Sequence, residues 1–225
     1  YMGILTLNNC TFENNSLKGE SYIWGGAIYN KGILNVSDSV FKNNSVISNK
    51  SYARSGAIFN NFGGIAGISN SVFENNYAIG SNSDGGALSS FGVVDIDNSI
   101  FINNYVNGSR EGMGGALYIG QGSNATCIKS VFINNSALSS NKSLEYGGAI
   151  SDDSEINCYY NIFINNNANR GSAVFVYFNK RIINDNYWGS NSDLDNVVSG
   201  SDIGDYITLK VIGDNVTYTT IPTEY

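Results

Sequence analysis

Gly85-Gly86-Ala87-Leu88 opens a stretch that reaches Phe101-Ile102-Asn103-Asn104 15 residues after its second glycine, and both ends of the stretch recur along the chain. The Phe element returns as Phe12-Glu13-Asn14-Asn15, Phe41-Lys42-Asn43-Asn44, Phe73-Glu74-Asn75-Asn76, Phe132-Ile133-Asn134-Asn135 and Phe163-Ile164-Asn165-Asn166, with intervals of 29, 32, 28, 31 and 31 residues across the six copies. The glycine marker returns as Gly25-Gly26-Ala27-Ile28, Ser55-Gly56-Ala57-Ile58, Gly114-Gly115-Ala116-Leu117, Gly147-Gly148-Ala149-Ile150 and Gly171-Ser172-Ala173-Val174. The marker's second residue stands 15 or 17 residues before the next Phe, and 15 residues from Ser172 is Tyr187, which this count assigns to a Phe position. The return interval, from Phe to the second residue of the next marker, varies from 9 to 16 residues, so the variable loop lies on that side.

Alignment on Phe exposes the core. Five residues upstream stand Leu7, Val36, Ile68, Ile96, Cys127, Cys158 and Ile182; seven upstream stand Leu5, Leu34, Ala66, Val94, Ala125 and Ile156. Residues two apart in a strand share a face, so both apolar columns point inward, while Asn35, Asp95, Asp97 and Asn157 face out. A chain built from such units predicts an all-β solenoid of about six repeats of roughly 30 residues. Identical positions then lie about 4.8 Å apart in successive coils. At that spacing Asn15, Asn44, Asn76, Asn104, Asn135 and Asn166 form an amide ladder behind a stack of Phe12, Phe41, Phe73, Phe101, Phe132 and Phe163.

Composition agrees. The 225 residues hold 26 Gly, one Pro, no His and 35 Asn, a set poor in helix formers and rich in turn formers. Aromatic residues at 12% supply apolar surface, which excludes a disordered chain. A net charge of −7 with 12 scattered cationic residues offers no stripe for a phosphate backbone, so nucleic acid is excluded as a partner. No apolar run is long enough to span a bilayer, and no leader opens the chain; its start inside a repeat suggests a segment of a longer protein.

The pairing of GGA[ILV] with FxxN resembles the repeats of chlamydial polymorphic outer-membrane proteins. The Asn-rich wording, with Asn184-Asp185-Asn186-Tyr187-Trp188-Gly189-Ser190-Asn191, resembles adhesin-like surface proteins of methanogenic archaea. The resemblance covers residues 1–191. It implies a right-handed parallel β-helix displayed extracellularly on the cell surface and a role in attachment to glycans or surface proteins of other cells.

Candidate sites are few. Absence of His removes the commonest general base, and no cofactor is called for. A polysaccharide lyase or glycoside hydrolase on this architecture would draw on Asp152, Asp153 and Glu155, or on Asp95 with Asp97. The first three are also the candidates for a calcium ion, although their spacing is not that of a calcium loop. Solvated charges are the simpler account, and the expectation is a non-catalytic module. Cys127 and Cys158 fall in one column, as two small buried hydrophobes or as a redox pair.

Three residues after the marker's second position come Tyr29, Phe59, Ser89, Tyr118, Ser151 and Phe175, with Trp24 in a preceding loop. Facing out, these rings would offer sugar-stacking surface; covered by loops, they would form a satellite core. Ten N-x-[ST] sequons occur, of which Asn49, Asn107 and Asn141 fall in loops. Residues 192–225 read as a cap or as the start of a following β module, with two strands around Gly213-Asp214-Asn215.

Overall fold

The computed structural model describes residues 3–178, 182–190, 194–212 and 215–221. Among them are no α-helix and one 3-10 turn, Lys142–Leu144; the rest is strand and turn. The chain is an all-β parallel solenoid in which each repeat forms one coil and like strands of successive coils pair in parallel.

The first sheet carries the residues after each glycine marker: Ile28–Asn30, Ile58–Asn60, Leu88–Ser90, Leu117–Ile119, Ile150–Asp152, Val174–Val176 and Val198–Ser199. The second is Ile4–Asn8, Ile33–Ser37, Ile65–Ser69, Val93–Asp97, Asn124–Ile128 and Ile156–Tyr159. The third holds the Phe residues: Thr11–Glu13, Val40–Lys42, Val72–Glu74, Ile100–Ile102, Val131–Ile133 and Ile162–Ile164. The fourth contains Ser16–Gly19, Ser45–Ser48, Tyr77–Asp84, Tyr105–Met113 and Ser136–Ser139, joined by the short strands Ile23–Trp24, Tyr52–Arg54 and Glu145–Tyr146.

Alternation places the core. From Leu34 through Ala66, Val94 and Ala125 to Ile156 the inward column is at most 4% exposed, and Val36, Ile68, Ile96, Cys127 and Cys158 are equally buried. Between sheets two and three the chain turns through a left-handed residue, Asn9, Asp38, Asn70, Asn98, Lys129, Tyr160 or Asp185; after the Phe strand it turns through Asn14, Asn43, Asn75, Asn103, Asn134 or Asn165. Asn tolerates that conformation better than other side chains, which is why the first Asn of each pair occupies it. The marker's second residue is constrained by space instead. A Cβ at Gly26, Gly56, Gly86, Gly115 or Gly148 would overlap the carbonyl oxygen of the equivalent residue one coil on. Ser55, which replaces the marker's first glycine, adopts φ +63° and uses its Oγ to accept from Ser89 N at 2.8 Å.

Two boundaries differ from the sequence expectation. Ile162 pairs with Tyr187, so Trp188 rather than Tyr187 stands opposite Phe163, with ring centroids 4.9 Å apart. The last coil is one residue longer than the count from Ser172 allowed, and Ile183, fully buried, takes the inward position assigned to Ile182. Solenoid pairing also continues past residue 191. Val198–Ser199 extends the first sheet, Asp202–Ile203 pairs in parallel with Ile182–Ile183, and Leu194, Val197, Val198, Ile203 and Tyr206 pack on the core. The polar wording of residues 192–205 hid these inward apolar positions. Tyr206–Ile212 and Asn215–Ile221 then form an antiparallel hairpin; Gly213 and Asp214 lie outside the described residues.

Candidate functional site

The recurrent polar residues bond to one another. Asn44 Nδ2 donates to Asn76 Oδ1 at 2.9 Å, Asn76 to Asn104 at 3.0 Å, Asn104 to Asn135 at 3.1 Å and Asn135 to Asn166 at 3.0 Å, with Asn15 joined to Asn44 at 2.8 Å. From Asn44 to Asn166 each oxygen also accepts the backbone N–H of the preceding rung, and each amide donates to the carbonyl of a Phe, as Asn104 does to Phe73 O at 2.9 Å. The six Phe rings stack 4.8–4.9 Å apart with interplanar angles of 2–10°. Amide donors and acceptors are therefore consumed inside the coil rather than offered to a ligand.

A second ladder was not singled out from the sequence. Two residues before each Phe position stand Ser39, Ser71, Ser99, Ser130, Asn161 and Asn186, and each accepts a backbone N–H from the coil before it at 2.8–3.2 Å. The signal was present as a Ser or Asn column in the Phe alignment. The third sheet also turns Val40, Val72, Ile100, Val131 and Ile162 outward, half-buried or exposed, beside Ile102, Ile133 and Ile164.

The column after the glycine marker does not form an open aromatic face. Phe59, Tyr118 and Phe175 are at most 4% exposed, Trp24 is half-buried, and only Tyr29 is open, at 45%. The cover comes from the residue just before each marker: Trp24, Arg54, Asp84, Met113, Tyr146 and Arg170 pair in register along the solenoid. Trp24 stacks on Phe59 at 5.4 Å, Arg54 lies 4.7 Å over the Phe91 ring, and Arg170 lies 5.3 Å over Phe175. These rings are a satellite core, which removes Phe59, Tyr118 and Phe175 as stacking surface for a ligand.

Within this cover Asp84 is fully buried. Its Oδ2 accepts from Arg54 Nε at 2.7 Å, and its Oδ1 makes no hydrogen bond to a described residue. Burial outweighs the nearby guanidinium and pushes the carboxyl up to about 6, with Glu111 and Asp153 adding to the rise. Burial likewise raises the Tyr118 hydroxyl, with Asp84 and Asp153 contributing.

The acidic candidates diverge. Asp152 is fully buried with Oδ1 accepting from Ser154 N at 3.0 Å, Asp153 is half-buried with Oδ2 accepting from Tyr118 O–H at 3.0 Å, and Glu155 is exposed. No cluster of three or more metal-binding side chains exists among the described residues, so the calcium arrangement is not formed by them. Asp95 and Asp97 share the outer face of one strand and line a shallow groove with Asn35, Ser37, Gly67 and Thr126. Cys127 and Cys158 are direct partners in adjacent strands, both buried as free thiols. Burial pushes Cys158 up to about 12 and Cys127 well above the ordinary range, with Cys158 adding to the latter. Inert packing is what that environment produces. The sequon residues Asn49, Asn107 and Asn141 are exposed, but Asn107 lies within the strand Tyr105–Met113, paired with Ile79 and Leu138, and not in a loop as the sequence suggested.

One open cleft brings chemically varied groups together. Of about 620 Å³, it lies between the corner turns of two successive coils and is lined by Gln121, Gly122, Ser123 and Asn124 on one side and Asp153, Ser154 and Glu155 on the other, with Phe178 beyond. Burial raises the Asp153 carboxyl, and the Tyr118 hydrogen bond opposes that rise.

Among families, the Chlamydia polymorphic membrane protein repeat matches residues 9–31, the span from the turn before Phe12 to the strand after Gly25-Gly26. No curated protein and no solved structure matches the chain. The similarity is thus to one repeat, and the same residue pattern recurs through the solenoid. No helix among the described residues is long and apolar enough to cross a membrane.

Proposed function

We propose that this chain is a non-catalytic module of a longer, surface-displayed protein, a rigid spacer with an adhesin-like role that holds its corner turns out to glycans or proteins of another cell. The observation that carries the reading is the double ladder. Asn and Ser side chains, the chemistry most abundant in each repeat, are committed to coil-to-coil bonds, so the repeat builds length and stiffness. Similarity to the chlamydial repeat supports display outside the cell, and the Asn184–Asn191 wording supports an archaeal cell surface as its setting. Antibodies raised against the chain should label intact cells of the native host. Labelling only after permeabilisation would refute surface display.

The second reading, a polysaccharide lyase or glycoside hydrolase, is favoured by one observation, the raised Asp153 carboxyl beside Glu155 in an open cleft. Incubation with pectin, alginate, xylan and mucin glycans should release neither reducing ends nor unsaturated products. Turnover that disappears in Asp153→Asn would replace the first reading with this one.

A further inference from the structure

We propose that the corner cleft between Gln121–Asn124 and Asp153–Glu155, with Phe178 as its apolar wall, is a binding site for a neutral saccharide. The inference rests on the surface-module reading and names the ligand class and the place of contact.

A saccharide presents two chemistries, C–H faces that pack on an aromatic ring and hydroxyls that each donate and accept. The cleft presents the complement of both. Phe178 is 44% exposed and held edge-on by Tyr177, itself 54% exposed, at a centroid distance of 4.5 Å. Tyr29 and Phe62 are open on the same side, whereas Phe59, Tyr118 and Phe175 are covered; Phe178 is the ring that shares a cleft with exposed polar side chains. The same cleft is lined by Gln121 and Asn124, both exposed and bearing side-chain amides, and by the acidic residues Asp153 and Glu155. Amides and carboxylates side by side satisfy hydroxyls in both directions.

The frame is rigid. Tyr118 holds Asp153 at 3.0 Å, Ser154 Oγ donates to Ser123 O at 2.9 Å, and Ser123 Oγ donates to Ser90 O at 2.7 Å, so the two turns are tied to each other and to the coil below. A bound sugar therefore loses little free energy to ordering the site. Gly122, at φ +81° with no atom within 4 Å of where a Cβ would stand, leaves the mouth open. The charged side chains among the described lining residues are both acids, which disfavours uronic acids, sialic acid and phosphates.

The test titrates the 225-residue chain with cellohexaose, mannohexaose and chitohexaose as neutral probes, polygalacturonate as an anionic probe and hexalysine as a cationic peptide, by calorimetry and by tyrosine fluorescence. At least one neutral hexasaccharide should bind, with affinity about tenfold weaker in Phe178→Ala and several-fold weaker in Gln121→Ala. Both variants should keep the wild-type unfolding midpoint, since both positions are exposed; should Phe178→Ala fail to fold, Gln121→Ala alone decides. Absence of neutral binding, binding by polygalacturonate or hexalysine alone, or binding unchanged in the folded variants would each overturn the proposal. Antibody labelling of intact cells does not depend on this cleft, so failure of the site and failure of the surface reading are separately visible.

Discussion

Replacing Asn104 by Ala removes one rung from the middle of the amide ladder, and the cost can be counted from its bonds. The side chain donates to Phe73 O at 2.9 Å and to Asn135 Oδ1 at 3.1 Å, and its Oδ1 accepts Asn76 N and Asn76 Nδ2, both at 3.0 Å. At a net worth of about 0.5–1.5 kcal/mol each, four bonds give about 2–6 kcal/mol, and the upper part of that range applies because the bereaved groups are buried away from water. The backbone N–H of residue 104, which donates to Asn135 Oδ1 at 3.0 Å, survives the change, so the loss belongs to the side chain alone. Asn103 is the internal control. It is exposed and adopts φ +55°, a conformation glycine accepts, so Asn103→Gly should change stability by less than about 1 kcal/mol. Equilibrium urea unfolding followed by circular dichroism measures both. A loss below about 1 kcal/mol for Asn104→Ala at unchanged denaturant slope would show that the ladder does not hold the coils together.

Phe101 is fully buried between Phe73 at 4.8 Å and Phe132 at 4.9 Å, and Phe101→Ala should cost about 3–5 kcal/mol in the same assay. Gly115→Ala should lower the unfolding midpoint sharply, because the added methyl meets the backbone of Gly148 and Ser136, whereas the exposed Gly122→Ala should cost only about 1 kcal/mol from its positive φ. Asp84, at about 6 in the fold against an ordinary 3.8, holds its proton more tightly folded than unfolded. Its contribution is fully favourable below about pH 4 and is lost as the pH rises through 6, by about 3 kcal/mol for a rise of that size. Unfolding free energies at pH 4 and 7 should show the wild type losing about 2 kcal/mol relative to Asp84→Asn, since part of the contribution is already gone at pH 4.

The repeat was legible because the inward residues keep fixed offsets of five and seven before each of Phe12 through Phe163, so one alignment gives the register of two sheets. The pairing of Leu5 with Leu34 and of Phe12 with Phe41 follows directly. The count failed where spacing changed by one residue. Tyr187 and Trp188 are both aromatic, and only Asn186, two before the true stacking residue as Asn161 is two before Phe163, distinguishes them. The fate of Tyr29, Phe59, Tyr118 and Phe175 was harder to read. Their cover is supplied by Trp24, Arg54 and Arg170, which sit at the far end of the variable loop and align only when counted back from the glycine marker. The corner cleft was half legible: Asp153 and Glu155 were named for another chemistry, while Gln121, Asn124 and Phe178 come from other coils and meet them only through the solenoid's pitch.

The central claim is that each repeat adds one rigid rise to a rod, and pulsed dipolar spectroscopy measures that rise. Thr6, Asn35, Gly67, Asp95, Thr126 and Asn157 are successive partners on the outer face of the second sheet. With the three native cysteines replaced by Ser or Ala, spin labels at Thr6 and Asp95 span three strand intervals, about 14 Å, and labels at Thr6 and Asn157 span five, about 24 Å. The account predicts narrow distance distributions whose centres differ by about 10 Å. Broad distributions, or two pairs with the same separation, would contradict it.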